Sequence, residues 1–498
     1  MGILRERKEC DDEKMSGVGR IRKIQNLLTT KQISCVELTK KYLKEIDNCN
    51  EELNAYVEVT SEAALETAKK VDEKVSMGLQ LQPLEGVPMS LKDNILTKGI
   101  KTTCCSNMLK NYVPNYDATV WSILKAQNAV LLGKTNMDEF AMGCSCKTSC
   151  CGGSKNPHDL TKVPGGSSGG SAAAVCANIS PYSLGTDTGG SIRQPASFCG
   201  IVGLKPTYGA FSRYGVVPFA DSLDQVGPMA ATVEDIAIIF DSLAKKDPLD
   251  KTSVGARYGA TFDSLENDLK GVRIGLPRQY FIGLDEDVTK AIDNAICVYK
   301  SLGAQFVELD MPIIKYSLPI YYALATSEGA KNLKKFDGIT LGKKVSDSIA
   351  ENRSVGFGDE VKRRLLLGTY MLNSEKGKWY LSEAKKIRVA IVQAFEEAFS
   401  KCDVILSSTV PSTATPHDFV PQDQMQSYMS DICTVPANMA GLPAVSVPCG
   451  VDSNGLPIGM QLIGNSFCEA TILNVARQFE VVAALDVLNK VSSMGVDL

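Results

Sequence analysis

Two glycine- and serine-rich segments dominate the chemistry this chain can offer. The first is Gly165-Gly166-Ser167-Ser168-Gly169-Gly170-Ser171 and the second Thr186-Asp187-Thr188-Gly189-Gly190-Ser191. Residues 165–228 hold 12 of the 41 glycines. Glycine permits positive φ and lets backbone N–H groups approach a ligand closely. The first segment runs into Ala172-Ala173-Ala174-Val175, a natural helix start, where consecutive N–H groups stabilise negative charge. A pair of flexible surface turns is the competing reading. A serine nucleophile needs a base, and the chain has only His158 and His417. With histidine this scarce, a lysine is the leading alternative, and it works only when neutral, hence desolvated or near other positive charge. Lys92 fits, because it ends the apolar run Val87–Leu91 and precedes Asp93-Asn94. A solvated lysine on a turn is the alternative for Lys92 taken alone.

Three other patterns compete. Gly133-Lys134-Thr135 ends like a phosphate-binding loop, but the required upstream glycine is Asn128. Gly166-Ser167-Ser168-Gly169-Gly170 formally fits a nucleophile elbow centred on Ser168, which would need His417 as its base; His417 lies in Thr415-Pro416-His417-Asp418, expected to be an exposed loop. Cys144, Cys146, Cys150 and Cys151, with Cys104-Cys105 as further candidates, lack the paired C-x-x-C knuckles of structural zinc sites and read as small buried side chains or incidental thiols.

The elements that must position these residues alternate. Ser34 and Glu37 have capping-box spacing ahead of Val36, Leu38, Leu43 and Ile46, and Ala63–Val75 is a second helix stopped near Gly78. Short strands are expected at Val87–Leu91, Ala129–Leu132, Val272–Leu276, Gln305–Leu309, Asp403–Leu406, Ala444–Val447 and Gly459–Ile463. Helices are expected at Ala118–Gln127, Ser171–Ala177, Glu234–Ala244 and Asp287–Leu302. Leu381–Phe399 reads as a long amphipathic helix, with Ala384, Ile387, Ile391 and Phe395 near one face. This alternation predicts an α/β architecture with helices packed on a large sheet. A single domain over residues 1–498 is expected, with a helical part at about 1–78, a catalytic core at about 79–250 and a helical excursion at about 310–400 covering the sheet edge.

Composition narrows the class. The 498 residues carry Lys+Arg 53 against Asp+Glu 57, a net charge of −4, so a strongly basic nucleic-acid face cannot be inferred. Met1–Arg22 is highly charged, with Glu6, Glu9, Asp11, Asp12 and Glu13, and has no apolar core of a secretory signal. No run approaches the roughly 20 apolar residues that span a bilayer. The expectation is a cytoplasmic protein with no membrane partner, its 16 cysteines reduced.

Gly86–Asn94, Gly165–Ala174 and Gly185–Pro195 resemble, in order and spacing, the signature segments of the amidase signature family, and the likeness extends over nearly the whole chain. The resemblance implies a large mixed β-sheet covered by helices on both faces and a Ser–cis-Ser–Lys triad. Ser191 corresponds to the nucleophile, Ser167 to the bridging serine and Lys92 to the base. The N–H groups of Thr188, Gly189, Gly190 and Ser191 would hold the oxyanion. Asp187 and Arg193 flank that turn, close enough in sequence to pair and brace it.

Within the family, Gly203–Gly209, Ser212-Arg213-Tyr214-Gly215, Ser222-Leu223-Asp224-Gln225, Pro436-Ala437-Asn438 and Ala440–Pro443 are similar to the glutamine-hydrolysing A subunits of bacterial tRNA-dependent amidotransferases. That likeness implies two partners, subunits B and C, in a heterotrimer. Ammonia would pass to the first of them, which amidates ATP-activated Glu-tRNA(Gln) or Asp-tRNA(Asn). No cofactor would sit in this chain; ATP and magnesium would serve the partner. The likeness also implies Arg364 for the α-carboxylate of glutamine and Asp431 for its α-ammonium. Arg363 is an equally placed neighbour, and Asp431 could instead cap a helix. A stand-alone amidase acting on another small carboxamide is the alternative function, and a catalytically silent scaffold a third. Lys147-Thr148 stand where such subunits usually have Glu-Asn, Cys144 and Cys146 replace small hydroxyl residues, and Ala210-Phe211 replace a more usual Arg-Val. These departures are expected near the site and the route to the partner.

Overall fold

The computed structural model describes residues 18–254, 260–420, 429–485, 487–488 and 495–496. The acidic N-terminal segment and the first part of the expected helical region 1–78 lie outside these residues. Eleven strands form one mixed sheet: β1 Tyr56–Val59, β2 Pro88–Lys92, β3 Val130–Thr135, β4 Tyr182–Asp187, β5 Val202–Lys205, β6 Gln225–Ala230, β7 Arg273–Pro277, β8 Gln305–Leu309, β9 Val404–Ser408, β10 Ala444–Val451 and β11 Pro457–Gly464. Their order is β1-β3-β2-β4-β6-β5-β10-β11-β9-β7-β8. β2 is parallel to both neighbours, β3 and β4, and β7 is parallel to β8 and β9. The central pairs from β4 to β9 are antiparallel.

Period-two alternation puts both faces of this sheet in a core. On β9, Val404 and Leu406 enter one hydrophobic cluster and Ile405 the other; on β11, Met460 and Leu462 face the first and Ile463 the second. The second cluster is roofed by helices at Ser317–Asn332, Asp359–Asn373 and Glu375–Lys401. The helical segment expected at 310–400 therefore packs on a face of the sheet, over β8, β9, β10 and β11. It does not merely cover an edge, because Tyr321, Ile391 and Phe395 need apolar partners that an edge does not supply. The capping box at Ser34–Glu37 is formed, with Ser34 Oγ accepting from Glu37 N–H at 3.1 Å and Glu37 Oε2 accepting from Ser34 N–H at 2.9 Å.

Four strands were not expected: β1, β4, β5 and β6. The last three carry Gly, Ser and Pro where strands usually carry branched side chains. The reason is close helix packing. A Cβ at Gly185 on β4 would lie 2.8 Å from Ser168 Oγ. The helices Gly169–Cys176 and Arg193–Cys199 sit directly on these strands, and bulk there would push them off. Ala210 and Phe211 are buried, and the Phe211 ring lies 5.6 Å from that of Phe240. That departure is a core-packing substitution, not a change on an exposed docking surface.

Candidate active site

The site forms where β2 and β4 end side by side. Lys92 closes β2 and Thr186-Asp187 close β4, and parallel strands deliver their C-terminal ends to the same edge, where ligand crevices in such sheets lie. Lys92 is 0% exposed. Its Nζ lies 2.8 Å from Ser167 Oγ, 2.8 Å from Ser168 Oγ, 2.9 Å from Thr186 Oγ1 and 3.3 Å from the Thr186 carbonyl oxygen. Lys92 makes no ion pair among the described residues. The nearby buried Lys134 differs, with Asp93 Oδ1 3.6 Å away. Burial pushes Lys92 down to about 7, against the opposing fields of Asp138, Cys146, Asp187 and Asp224.

Proton accounting fixes the direction of these contacts. Ser168 donates its hydroxyl hydrogen to the Thr186 carbonyl at 3.1 Å, so toward Lys92 it can only accept. Thr186 Oγ1 already accepts from Asn94 Nδ2 at 3.0 Å and takes a second N–H from Lys92. A neutral lysine has two N–H bonds and one lone pair. With the two N–H bonds directed to Ser168 and Thr186, the lone pair faces Ser167. Ser168, the centre of the formal elbow motif, thus engages Lys92 and Thr186. His417 is half-buried instead of exposed, and its Nε2 has no partner among the described residues.

The Gly166–Ser167 peptide bond is cis. Gln194 ties this loop to the next: its Oε1 accepts from Gly166 N–H at 2.8 Å and its Nε2 donates to the Cys144 carbonyl at 2.8 Å. Asp138 organises the loop behind it, accepting from the N–H groups of Cys146 at 2.8 Å, Ser145 at 3.2 Å and Thr148 at 3.3 Å and from Thr148 Oγ1 at 2.9 Å. Thr148 Oγ1 also accepts from Glu139 N–H at 3.0 Å. The hydroxyl at this unusual position is therefore part of the loop's internal bonding.

The turn after β4 is built on Asp187. Its carboxylate accepts from Gly190 N–H at 2.9 Å, Ile192 N–H at 3.2 Å and Asn438 Nδ2 at 2.8 Å. It is also gripped two-pronged by Arg193, through Nε and Nη2 at 3.0 Å each. Burial alone would raise Asp187, but Arg193 above all, then Lys205 and Asn438, hold it down at about 2. The Arg193–Asp187 pairing expected from their proximity is present. Arg193 Nη1 continues to the Thr434 carbonyl at 3.0 Å and Gln461 Oε1 at 2.5 Å. Thr434 Oγ1 donates to the Gly189 carbonyl at 2.6 Å. Gly190 has φ +141°, and a Cβ there would meet Thr434 Oγ1, so only glycine fits.

Ser191 follows that turn and is 9% exposed, whereas Ser167 and Ser168 are at 0%. Its hydroxyl makes no hydrogen bond among the described residues. The direct link to the other serines is through backbone, Ser168 N–H donating to the Ser191 carbonyl at 3.2 Å. Of the four expected oxyanion donors, Gly190 departs from the reading, because its N–H is already bonded to Asp187. The N–H groups of Thr188, Gly189 and Ser191 have no acceptor among the described residues.

Arg364 and Asp431 both face this region. Arg364 is buried, with Nε 2.6 Å from Glu360 Oε1, and its guanidinium lies 5.4 Å from the Tyr322 ring centre and 5.6 Å from that of Phe219. Arg363, the alternative, is half-exposed and pairs with the same glutamate. Asp431 ends a short 3-10 turn, Met429–Asp431. Its carboxylate makes no hydrogen bond or ion pair among the described residues; it is the backbone carbonyl that accepts from Thr434. Burial raises Asp431 to about 7 against the pull of Arg364. A cavity of about 360 Å³ bounded by Cys144, Ser145, Gln194, Met429 and Ser430 adjoins this loop.

Sequence reasoning missed Ser168, Thr186, Asn94, Asp138, Gln194, Thr434 and Asn438. Only their neighbourhood to the glycine clusters, for the first five, offered a signal. No group of three His, Cys, Asp or Glu side chains that could hold a metal ion occurs among the described residues.

Comparison with known proteins places this geometry. The sequence model of the Amidase family matches residues 37–473. The A subunit of glutamyl-tRNA(Gln) amidotransferase from Carboxydothermus hydrogenoformans is 49% identical over 466 residues, covering 92% of this chain and 96% of that protein. Its counterpart of the same name in Trichlorobacter lovleyi is 48% identical over 467 residues, with 92% and 96% covered. The crystal structure of the glutamyl-tRNA(Gln) amidotransferase A subunit from Thermotoga maritima superposes with a TM-score of 0.76 at 37% identity, over 90% of this chain and 93% of that one. A bacterial aryl acylamidase shares the fold, with a TM-score of 0.85 at 22% identity over 97% and 100% of the two chains. With the family matched across most of its length, the chain is an enzyme of the amidase signature family.

Proposed function

We propose that this chain is the glutamine-hydrolysing A subunit of a tRNA-dependent amidotransferase and that Lys92, Ser167 and Ser191 are its catalytic residues. The observation that carries the reading is the contact between Lys92 Nζ and Ser167 Oγ, made by a lysine that burial has brought to about 7 and that no carboxylate neutralises. Neutral Lys92 takes the proton of Ser167 as Ser167 takes that of Ser191. The partly exposed Ser191 Oγ attacks the carboxamide carbon of glutamine. The missing Ser167–Ser191 hydrogen bond tightens when substrate is seated, as catalytic contacts commonly do. The N–H groups of Thr188, Gly189 and Ser191 receive the oxyanion, each such donor being worth roughly 3–4 kcal/mol in the transition state. The relay returns the proton to the leaving nitrogen, ammonia departs, and water cleaves the acyl-enzyme to give glutamate.

Arg364 holds the α-carboxylate and Asp431 the α-ammonium of glutamine. Opposite charges buried on the two sides of one site suit an amino acid better than a simple amide, which favours glutamine over the stand-alone amidase alternative. The names of the relatives support the rest. Ammonia passes to the B subunit, which uses ATP and magnesium to amidate Glu-tRNA(Gln), with Asp-tRNA(Asn) as a second acceptor. The C subunit completes a heterotrimer in the cytoplasm. This chain itself needs no cofactor. No described helix is long and apolar enough to cross a membrane.

The test is ammonia release from glutamine by the purified chain, alone and co-purified with its B and C partners in the presence of ATP and Glu-tRNA(Gln). Glutamine turnover that rises with the complete complex supports the proposal. Fast cleavage of apolar amides with no response to the partners would overturn it, as would absence of turnover in every condition.

A further inference from the structure

The cysteines at 104–105 and 144–151 are not used by the chemistry above, yet the fold brings some of them together. Cys150 and Cys151 are exposed and their sulfurs lie 3.9 Å apart. Cys105, buried, meets them from a different loop: its carbonyl accepts from Cys150 N–H at 2.9 Å, and its thiol is in hydrogen-bonding contact with Cys151. The contacts with Cys105 and Cys150 push the Cys151 thiol down and make it the most nucleophilic of the three, while Cys105 is raised by burial.

The cluster is wired to the site on both sides. The Cys105 sulfur lies 3.9 Å from Asp93 Oδ2, and the N–H of Cys105 also reaches that oxygen at 3.4 Å. Asp93 follows Lys92 directly and neighbours buried Lys134. On the other side, the Gly152 carbonyl accepts from Asn136 Nδ2 at 2.9 Å, and the Asn136 carbonyl accepts from Gly170 N–H at 3.2 Å, at the start of the helix that follows Ser167 and Ser168.

We propose that Cys105 and Cys151 are a modification site, a dithiol that closes to a disulfide in the presence of a low-molecular-weight disulfide such as oxidised glutathione and thereby lowers the activity of the adjacent site. The Cys151 thiolate attacks one sulfur of the oxidant, forming a mixed disulfide and expelling one glutathione thiolate. Cys105 then loses its proton and attacks the Cys151 sulfur, which expels the second. Two electrons pass from the protein thiols to the oxidant, and two glutathione molecules are the reduced product. The new bond removes the Cys105 thiol from Asp93 and pulls the 150–153 loop toward β2. The loss of activity rests on the amidase reading; the disulfide does not.

The experiment treats the full-length chain with oxidised glutathione, maps its peptides without reduction and assays ammonia release from glutamine. The expected result is a loss of about 2 Da, a linked peptide pair containing Cys105 and Cys151, and an activity drop of at least about tenfold that dithiothreitol reverses. Cys151→Ser, an exposed position, is expected to keep basal activity and become insensitive. A stable glutathione adduct, or a Cys150–Cys151 link in place of the pair, overturns the site. The expected link with unchanged activity overturns the switch. Failure of the chain to hydrolyse glutamine before oxidation counts against the functional reading and leaves the peptide map to judge the disulfide.

Discussion

Asp187 and Arg193 form a two-pronged ion pair in which neither side chain touches solvent, and the turn that presents Ser191 is closed between them. Breaking such a pair leaves an uncompensated buried charge, which costs about 3–5 kcal/mol. Asp187→Ala is expected to lose that much in a denaturant titration and to abolish acylation, because Gly190 and Ile192 lose their acceptor as well. Stability close to that of the parent would show that the turn does not depend on the pair.

The pH profile follows from Lys92. Its ordinary value is 10.5 and its folded value about 7, so the working neutral form gains population as pH rises through about 7. The acid limb of kcat/KM for glutamine is expected there, and Lys92→Ala is expected to lower kcat/KM by roughly 10²–10⁴-fold. Between about 7 and 10.5 the unfolded chain binds a proton at this residue that the folded chain does not, so its contribution to stability improves with rising pH. Lys92→Met removes the desolvated amine, and its melting temperature is expected to exceed that of the parent, most clearly below pH 7. A thermal scan of both proteins across pH checks the sign.

Ser167 and Ser168 touch the same amine but in different ways. Ser167→Ala breaks the proposed relay and is expected to reduce acylation to near background. Ser168→Ala removes one acceptor from the ammonium form of Lys92, so the acid limb moves to lower pH with a fall in kcat of about tenfold. Equal losses in the two variants with unshifted limbs would place the proton path elsewhere.

Glutamine binding reports on Arg364 and Asp431. Arg364→Ala is expected to raise KM more than it lowers kcat, because an α-carboxylate contact is equally present in ground and transition states. Asp431, raised to about 7, is neutral below that pH and ionised above it, so affinity for the glutamine ammonium strengthens as pH rises through about 7. Calorimetry on Ser191→Ala separates this effect from catalysis, and Asp431→Asn in that background is expected to flatten the pH dependence.

Phe211 is a core residue and not a substrate contact. Phe211→Ala is expected to cost about 3–5 kcal/mol of stability, with the KM for glutamine unchanged at temperatures where the variant is folded. A raised KM would return this position to the site.

Much of the architecture was legible in local pattern. The strand Gln305–Leu309 matches its expected limits, the helices expected at 118–127 and 287–302 sit within a residue or two of theirs, and the Ser34–Glu37 box is formed. Hydrophobic periodicity and capping chemistry are properties of neighbouring residues, so the sequence displays them. The polar strands β4, β5 and β6 were not legible. Their small residues answer to helices that press on them from elsewhere in the chain, and no local pattern records that pressure.

The same division runs through the candidate site. The sequence alone determined its ingredients: two glycine-rich turns with serines at fixed offsets, a lysine at the end of an apolar strand, and too little histidine to serve instead. Only the tertiary structure decided which N–H groups remain available, that Gly190 donates to Asp187, that Arg364 and not Arg363 is the buried arginine, and that Ser168 and Thr186 turn the amine toward Ser167. Those outcomes depend on hydrogen bonds between residues up to 251 positions apart, such as Asn438 on Asp187. They depend too on the burial that brings Lys92 to about 7, a property of everything packed around the amine and of no single stretch of chain.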